Sequence, residues 1–188
     1  MRIIVIGAQG QVGWELTRRA VALGHDVLAW DLAELDITDA AAVDRELATS
    51  GGDVAINAAA YTAVDRAEQE PALAFAVNRD GPAHLAAACA RSNIPLLHIS
   101  TDYVYDGAKI DPYVEDDPTT PLGVYGESKL AGDEAVGRLL PRHLILRVSW
   151  VFGIHGHNFV KTILRLARER EELRVVADQY GCPTFAGD

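Results

Sequence analysis

The chain has 188 residues, of which 49% are hydrophobic and 23% charged, a size and balance that favour one globular domain and exclude a disordered polypeptide. Its formal net charge of −10 argues against nucleic acid or an anionic membrane surface as the main partner. No apolar run approaches the roughly 20 residues of a membrane span, and Cys89 and Cys182 share no metal-binding or redox spacing. We therefore expect a cytoplasmic protein with two reduced thiols.

Short β-rich apolar runs alternate along the chain with longer runs of helical period. The predicted strands, in order, are residues 2–6, 26–30, 53–56, 95–100, 143–148 and 173–177. The predicted helices between them are residues 11–23, 39–50, 71–92, 125–140 and 158–170. This alternation predicts an α/β fold with a Rossmann-like, doubly wound parallel sheet.

Two regions are expected within this chain. Residues 1–177 are predicted to form a dinucleotide-binding Rossmann domain that also carries the catalytic residues. Residues 178–188 include Gly181 and Pro183 and are predicted to begin a substrate-binding region that is largely missing from this sequence.

The first predicted strand runs directly into Gly7, Gly10 and Gly13. Glycines at a strand-to-helix turn permit a tight turn, close approach of backbone to a pyrophosphate and close helix packing, with the helix N-terminus facing the phosphates. The spacing Gly-x-x-Gly-x-x-Gly differs from the Gly-x-Gly-x-x-Gly pattern of most dehydrogenases. The loop nevertheless predicts a bound dinucleotide because of its position after an apolar strand.

Asp31 follows the second predicted strand, where a carboxylate can accept hydrogen bonds from the adenosine ribose. This position favours NADH over NADPH, although Arg18 and Arg19 leave NADPH open. The alternative is purely structural: Asp31 ends its strand and Asp36 caps the following helix.

Tyr125 and Lys129 lie four residues apart and therefore share one helix face, where the ammonium is expected to lower the phenol pKa. Ser100 and Thr101 follow the fourth predicted strand, at the sheet edge where ligands of such folds bind. One of these hydroxyls is expected to hold a substrate carbonyl while Tyr125 protonates it. Spacing alone does not choose between Ser100 and Thr101.

These motifs, read together, resemble the extended short-chain dehydrogenase/reductase family and, within it, the dTDP-4-dehydrorhamnose reductases. The runs that carry the resemblance are GQVGWEL at 10–16, NAAAYTAVD at 57–65, STDYVY at 100–105, VYGESKLAG at 124–132 and RVSWVF at 147–152. The similarity covers nearly the whole chain.

The resemblance implies a role for each matching position. Thr101, Tyr125 and Lys129 would be the catalytic hydroxyl, acid and lysine, with Tyr125 and Lys129 also at the cofactor. The remaining cofactor positions would be Gly10, Gln11 and Val12 at the pyrophosphate, Asp31, Asp36 and Ile37 at the adenosine half, and Ala60, Tyr61 and Thr62 at the inner ribose and phosphates. Thr101, Asp102 and Trp150 would contact the sugar, with a core aromatic as the alternative for Trp150.

The implied reaction is hydride transfer from NADH or NADPH to the C4 keto group of dTDP-6-deoxy-L-lyxo-4-hexulose, which gives dTDP-L-rhamnose. The resemblance also implies a possible magnesium site at a subunit contact, near a glutamate like Glu15. Gly187 occupies the position where a second acidic ligand is expected, which argues against magnesium in this chain. His155 and His157 lack an acidic or thiol partner nearby, so no metal site is predicted there. A homodimer is left open.

Two alternatives remain. One is a non-catalytic, dinucleotide-binding regulatory subunit that resembles the beta subunit of methionine adenosyltransferase. The other is a nucleotide-sugar epimerase or dehydratase of the same family; a dehydratase would favour an acid at the position of Tyr103.

Overall fold

Five parallel strands form the central sheet in the order β2-β1-β3-β4-β5, in a computed structural model that describes residues 1–188. The strands are β1 (Arg2–Ile6), β2 (Asp26–Trp30), β3 (Val54–Asn57), β4 (Leu96–Thr101) and β5 (His143–Val148). The strand order reverses between β1 and β3, which creates the switch point at which open α/β sheets bind their ligands. The predicted Rossmann-like sheet is confirmed.

Helices follow the strands and cover the sheet. They are α1 (Gln11–Ala22), α2 (Ala40–Ser50), α3 (Val64–Ala67), α4 (Pro71–Phe75), α5 (Gly81–Ser92), α6 (Val124–Leu139) and α7 (Phe159–Glu169). Ile4, Val5 and Ile6 are all fully buried, as expected for a strand covered on both faces. On one face, Ile4 and Ile6 pack in a core that includes Leu47 of α2 and Leu85 of α5.

Asp39 begins α2 by accepting hydrogen bonds from the backbone N–H groups of Ala41 and Ala42. The alternative in which Asp36 caps this helix is therefore wrong. Asp36 instead accepts hydrogen bonds from the backbone and hydroxyl of Thr38.

The helix predicted at residues 71–92 contains one turn of π-helix at Ala76–Asp80, between α4 and α5. A π-turn inserts one extra residue and shifts the side chains that follow, and such turns are frequent at functional sites. Here it lies beside α6, where Asn78 is fully buried. The sequence carries no signal for this turn.

The strand predicted at residues 173–177 is wrong. Val175 and Val176 are exposed, and the segment pairs with no other strand, so β5 is an edge of the sheet. An apolar run becomes a strand only where a neighbouring strand can satisfy its backbone. Farther on, β7 (Thr184–Phe185) pairs in parallel with β6 (Val151–Phe152), two short strands that were not predicted.

No helix combines the length and apolar character required to cross a membrane. Cys89 is buried and Cys182 is exposed, and neither forms a disulfide.

Candidate active site

The glycine loop makes a turn that a side chain would prevent. Gly7 has a φ of 79°, and a Cβ there would lie 2.5 Å from the backbone nitrogen of Ala59. A Cβ on Gly13 would overlap the carbonyl oxygen of Gly7, so α1 approaches the turn directly. Gly10 is the residue before α1 and has more room, since its Cβ would lie 3.3 Å from that same oxygen. The cradle therefore fits a dinucleotide pyrophosphate in front of the α1 N-terminus, at Gln11 and Val12.

Asp31 lies at the end of β2, beside the glycine loop. One carboxylate oxygen accepts a hydrogen bond of 2.8 Å from the backbone N–H of Gln9, and the other accepts one of 2.9 Å from Leu32. Asp31 also lines a cavity of about 330 Å³ with Trp14 and Arg18. The cavity is therefore lined by one carboxylate and one guanidinium.

Ile37 is predicted to lie at the adenosine half of the cofactor, and that role stays a prediction. Its side chain is buried in the core, against Gly81 of α5, and its carbonyl oxygen lies 3.0 Å from Nδ1 of His84. Its side chain and carbonyl oxygen are therefore occupied, and its backbone N–H is the group left to form a hydrogen bond with an adenine. Asp36 is next to it in the turn held by Thr38.

The segment Ala60-Tyr61-Thr62 follows β3 and is held in place by Asn78 of the π-turn. The Asn78 side chain accepts a hydrogen bond from the backbone N–H of Tyr61 and donates one to its carbonyl oxygen. It also donates to the Ser128 hydroxyl of α6. One buried amide therefore ties this segment to the helix that carries Tyr125 and Lys129.

Thr101 is the last residue of β4 and is buried. Its hydroxyl accepts a hydrogen bond from the backbone N–H of Tyr103 and donates one of 3.2 Å to the Asp102 carboxylate. The Ser100 hydroxyl instead donates to Asp133 at 2.8 Å, in the interior. Of the two, Thr101 is the hydroxyl that holds the turn packed against Tyr125, because it accepts from Tyr103, whose ring contacts Tyr125.

Tyr125 lies in the first turn of α6, which packs against the turn after β4. A Cβ on Gly126 would overlap the carbonyl oxygen of Tyr103, so this glycine permits the contact. The rings of Tyr103 and Tyr125 meet edge to face, with centroids 5.4 Å apart.

Burial raises the pKa of the Tyr125 phenol; the Thr101 hydroxyl opposes this effect, and the charge of Asp102 adds to it. The expectation that Lys129 lowers this pKa is wrong in the structure described. Lys129 is only 1% exposed, and its ammonium donates a hydrogen bond of 2.8 Å to the carbonyl oxygen of Ile99. Its charge is therefore directed into the interior rather than at the phenol.

Trp150 follows β5 with a φ of 47°, in the left-handed region that is strained for a non-glycine residue. Its indole packs over Gly181 and remains 47% exposed, so the core interpretation of this residue is wrong. Asp102, the other predicted sugar contact, is partly buried, and burial raises its pKa while the Thr101 hydroxyl opposes the rise.

The loop before α7 covers the glycine loop, which the sequence did not predict. His155 stacks on Trp14 with ring centroids 4.9 Å apart, and its Nε2 lies 2.9 Å from the carbonyl oxygen of Gln9. The Asn158 amide donates to the Gln11 side chain at 3.0 Å. His155 therefore has a packing role, and no group of three potential metal ligands forms anywhere in the structure.

Glu15, the residue linked to magnesium by the family resemblance, is buried in α1. Both the Nε and Nη2 atoms of Arg18 donate to one of its carboxylate oxygens, at 3.1 and 2.7 Å. This carboxylate is committed to an ion pair, so the residues present do not fit a metal ion at this position.

Two further residues near Lys129, Asp133 and His98, are not among the predicted site residues. Asp133 lies four residues after Lys129, so the same helical spacing that singled out Tyr125 and Lys129 would have found it. His98 lies inside β4, and only the fold brings it against Lys129, at 3.4 Å.

Known proteins are similar to this chain over all of its residues. A family model described as "RmlD substrate binding domain" matches residues 1–188. The curated dTDP-4-dehydrorhamnose reductase of Sinorhizobium fredii is 48% identical over 188 residues, which are all of this chain and 63% of that protein. The same reductase of Aggregatibacter actinomycetemcomitans is 50% identical, over 64% of its length.

Solved structures agree. A dTDP-4-dehydrorhamnose reductase of Clostridium acetobutylicum has a TM-score of 0.97 and 40% identity, covering 100% of this chain and 66% of that one. The reductase of Bacillus anthracis, solved in complex with NADP, has a TM-score of 0.96 and 40% identity, covering 98% and 66%. This chain therefore spans less than two thirds of the length of these relatives.

Proposed function

We propose that this chain, which belongs to the family of dTDP-4-dehydrorhamnose reductases, provides the cofactor site and the proton donor of such a reductase. The reaction is reduction of the C4 keto group of dTDP-6-deoxy-L-lyxo-4-hexulose to give dTDP-L-rhamnose. The proposed site of action is the cytoplasm.

The observation that carries this proposal is that Thr101 and Tyr125 pack on the same residue, Tyr103, at the carboxyl end of the sheet that also forms the glycine cradle. NADH or NADPH, when bound, supplies the hydride. The Thr101 hydroxyl holds the carbonyl oxygen in place, and Tyr125 donates its proton to the alkoxide that develops there.

The raised pKa of Tyr125 suits this role, because the phenol remains protonated at neutral pH and can give its proton to a more basic alkoxide. Burial of Thr101 keeps water from competing for the same carbonyl oxygen. In this structure the Thr101 hydroxyl donates its single proton to Asp102, and this proton turns to the carbonyl oxygen when the substrate binds. Asp102 and Trp150 are proposed to contact the sugar.

Cofactor binding in this proposal uses the glycine loop for the pyrophosphate. Asp31 accepts hydrogen bonds from the adenosine ribose of NADH, and the nearby Arg18 accommodates the 2′-phosphate of NADPH. The segment Ala60-Tyr61-Thr62 contacts the inner ribose and phosphates, where Lys129 also acts. The Bacillus anthracis relative bound to NADP supports the use of a phosphorylated cofactor.

The test follows the absorbance of reduced nicotinamide after this chain is mixed with the 4-keto sugar nucleotide. Tyr125→Phe removes the proton donor and should lower turnover by about 10²–10⁴-fold, with dinucleotide affinity retained. The matched control is Tyr113→Phe, which removes a phenol that donates to Asp106 in the loop before α6. Equal turnover in Tyr125→Phe and the unaltered chain would contradict the mechanism, and binding without turnover in the unaltered chain would contradict the proposed catalysis by this chain.

A further inference from the structure

A buried polar cluster surrounds the ammonium of Lys129. It consists of His98 and Ser100 from β4, Lys129 and Asp133 from α6, and Arg147 from β5, and we refer to these residues as the Lys129 cluster. His98, Lys129 and Asp133 are 0%, 1% and 4% exposed. Burial of a charged group lowers the free energy of unfolding unless the group is paired. Charged groups in the interior therefore suggest a functional role.

Hydrogen bonds around His98 determine its tautomer. The Asn57 side-chain oxygen accepts from the backbone N–H of Ala59, which leaves the Asn57 NH₂ group facing Nδ1 of His98 at 3.0 Å. Nδ1 must therefore accept, and a neutral imidazole then carries its proton on Nε2. Burial, with the charge of Lys129, lowers the pKa of His98 well below its ordinary value, which keeps the ring neutral.

The Nε2–H of His98 faces two groups. Nζ of Lys129 lies at 3.4 Å, but an ammonium cannot accept a hydrogen bond. Oδ1 of Asp133 lies at 3.6 Å and has no other partner. His98 is therefore a neutral donor placed between the lysine and the aspartate.

Asp133 faces charges from two elements. Its Oδ2 accepts a hydrogen bond of 2.8 Å from Ser100 and lies 3.6 Å from Nε of Arg147, an atom that also lacks a hydrogen-bond partner. Arg147 is held by its hydrogen bond of 2.6 Å to the Tyr105 hydroxyl. The carboxylate thus lies near Arg147 directly and near Lys129 across His98, and Ser100 fixes its orientation.

We propose that Asp133 and His98 are positioning residues for Lys129. Asp133 supplies the buried negative charge that keeps the Lys129 ammonium protonated. His98 lies between the ammonium and the Asp133 carboxylate and fixes their separation and relative orientation. The link to catalysis rests on the proposed function, in which Lys129 acts at the cofactor. The other titratable groups near Lys129 and Tyr125 are Asp102 and Tyr103 from the turn after β4 and Arg147 from β5.

The electrostatics of Lys129 support this geometry. Burial lowers the pKa of Lys129 to about 8, and the charge of Asp133 acts in the opposite direction. Burial raises the pKa of Asp133, while the Ser100 hydroxyl, Lys129 and Arg147 favour its ionised form. Loss of the carboxylate charge would therefore leave Lys129 partly deprotonated near neutral pH.

The chain permits a direct test because its lysines are Lys109, Lys129 and Lys161 alone. Lysine isotopically labelled at Cε gives one NMR signal for each, and Lys129→Arg assigns the signal of interest. Asp133→Asn should lower the midpoint of the Lys129 titration by about one pH unit or more, whereas Asp133→Glu, which keeps the charge, should restore most of the shift. Glu134→Gln is the matched control, since it removes a charge from the exposed side of the same helix.

An unmoved Lys129 midpoint in Asp133→Asn, or an equal shift in Glu134→Gln, would overturn the proposal. These NMR measurements require no turnover, so failure of this proposal can be distinguished from failure of the proposed function. If the chain is active, the alkaline limb of its kcat profile should move to lower pH in Asp133→Asn together with the NMR midpoint, with KM for the cofactor little changed. A fall in kcat that is uniform across pH would indicate structural damage and would count against the proposal.

A second measurement covers the case in which Asp133→Asn does not fold. Nitrogen-detected NMR of the unaltered chain reports the His98 tautomer, with His98→Gln as the assignment variant. A neutral ring protonated on Nε2 is expected at neutral pH. A ring protonated on Nδ1, or an imidazolium, would place a different hydrogen bond or a repelling charge beside Lys129 and would overturn the proposal.

Discussion

Lys129 carries its charge at a buried position, where burial opposes the charged form. Its pKa in the folded chain is about 8, against 10.5 for an unperturbed lysine. Between these two values the unfolded chain binds a proton that the folded chain does not, so this group makes stability rise as the pH increases from about 8 to 10.5. Below pH 8 the folded chain bears the full cost of burying the ammonium.

Replacement of Lys129 by methionine should therefore stabilise the chain while removing its activity. We expect a gain of about 1–3 kcal/mol in the free energy of unfolding at pH 7, which shrinks toward pH 10. Urea unfolding of both chains at the two pH values measures this difference. Lower stability of Lys129→Met at pH 7, with no pH dependence, would show that the hydrogen bond to Ile99 outweighs the burial of charge.

Asp31 is the residue with the clearest effect on cofactor choice. Its carboxylate lines the same cavity as Arg18, and its charge would repel the 2′-phosphate of a cofactor bound there. Asp31→Ala should raise the ratio of NADPH to NADH affinity by about tenfold, which is the effect of 1.4 kcal/mol. Fluorescence titration with each reduced cofactor measures the ratio. An equal loss of both affinities would mean that Asp31 acts only by holding the backbone of Gln9.

Residue spacing was sufficient to find part of the site. Tyr125, Lys129 and the three glycines were identified because their spacing has a direct geometric meaning on a helix or in a turn. Asn78 and His98 were missed because their partners are distant in sequence: Asn78 contacts Ser128, and His98 contacts Lys129.

At the scale of elements, α6 is held close to its neighbours by its own glycines. Gly132 faces the π-turn, where a Cβ would overlap the carbonyl oxygen of Asn78. Gly137, five residues later and on a different face of α6, has only the His143 ring nearby, at 3.8 Å. The two positions therefore differ in packing while sharing the same helix.

These two glycines give a paired prediction. Gly132→Ala should cost about 1–3 kcal/mol of stability, because α6 must move away from a backbone atom. Gly137→Ala should add about 0.5–1 kcal/mol, because alanine loses less backbone entropy in a helix and meets no close contact. Chemical unfolding of both variants tests the pair. Equal effects would indicate that α6 does not pack against Asn78 as described.

α7 differs from the other long helices because none of its side chains is buried. Phe159 and Leu164 are exposed on it, and Leu144 and Leu146 are exposed on the edge strand β5. The helical period was strong enough to predict α7, but it could not report whether a partner covers the apolar side. Secondary structure follows from local pattern here, whereas burial does not.

At the scale of the whole molecule, the strands that form the core of the sheet also carry the candidate cofactor site at their carboxyl ends. The glycine loop, Asp31 and the Ala60-Tyr61-Thr62 segment follow β1, β2 and β3, all within the five-stranded sheet. This arrangement gives the chain a complete candidate cradle for a dinucleotide, although it spans 63% of the length of a curated relative.

The chain should therefore bind a reduced dinucleotide whether or not it turns over substrate. A ligand that binds only the folded state at 100 times its Kd adds about 2.7 kcal/mol of stability, so thermal unfolding should shift upward with NADPH or NADH. Gly10→Ala is the matched control, since its Cβ would lie 3.3 Å from the Gly7 carbonyl oxygen, in the loop where we propose that the pyrophosphate binds. The same upward shift in this variant would contradict binding at the glycine loop.

The sequence by itself determined the Rossmann-like sheet, the glycine turn, and the positions of Tyr125 and Lys129, because strand and helix periods and short spacings are local properties of a chain. Only the tertiary structure decided that residues 173–177 form no strand, that Ile37 belongs to the core, and that Lys129 points toward His98 and Asp133. The physical reason is that strand pairing, burial and the direction of a buried charge depend on groups from distant parts of the chain, whose approach no local pattern specifies.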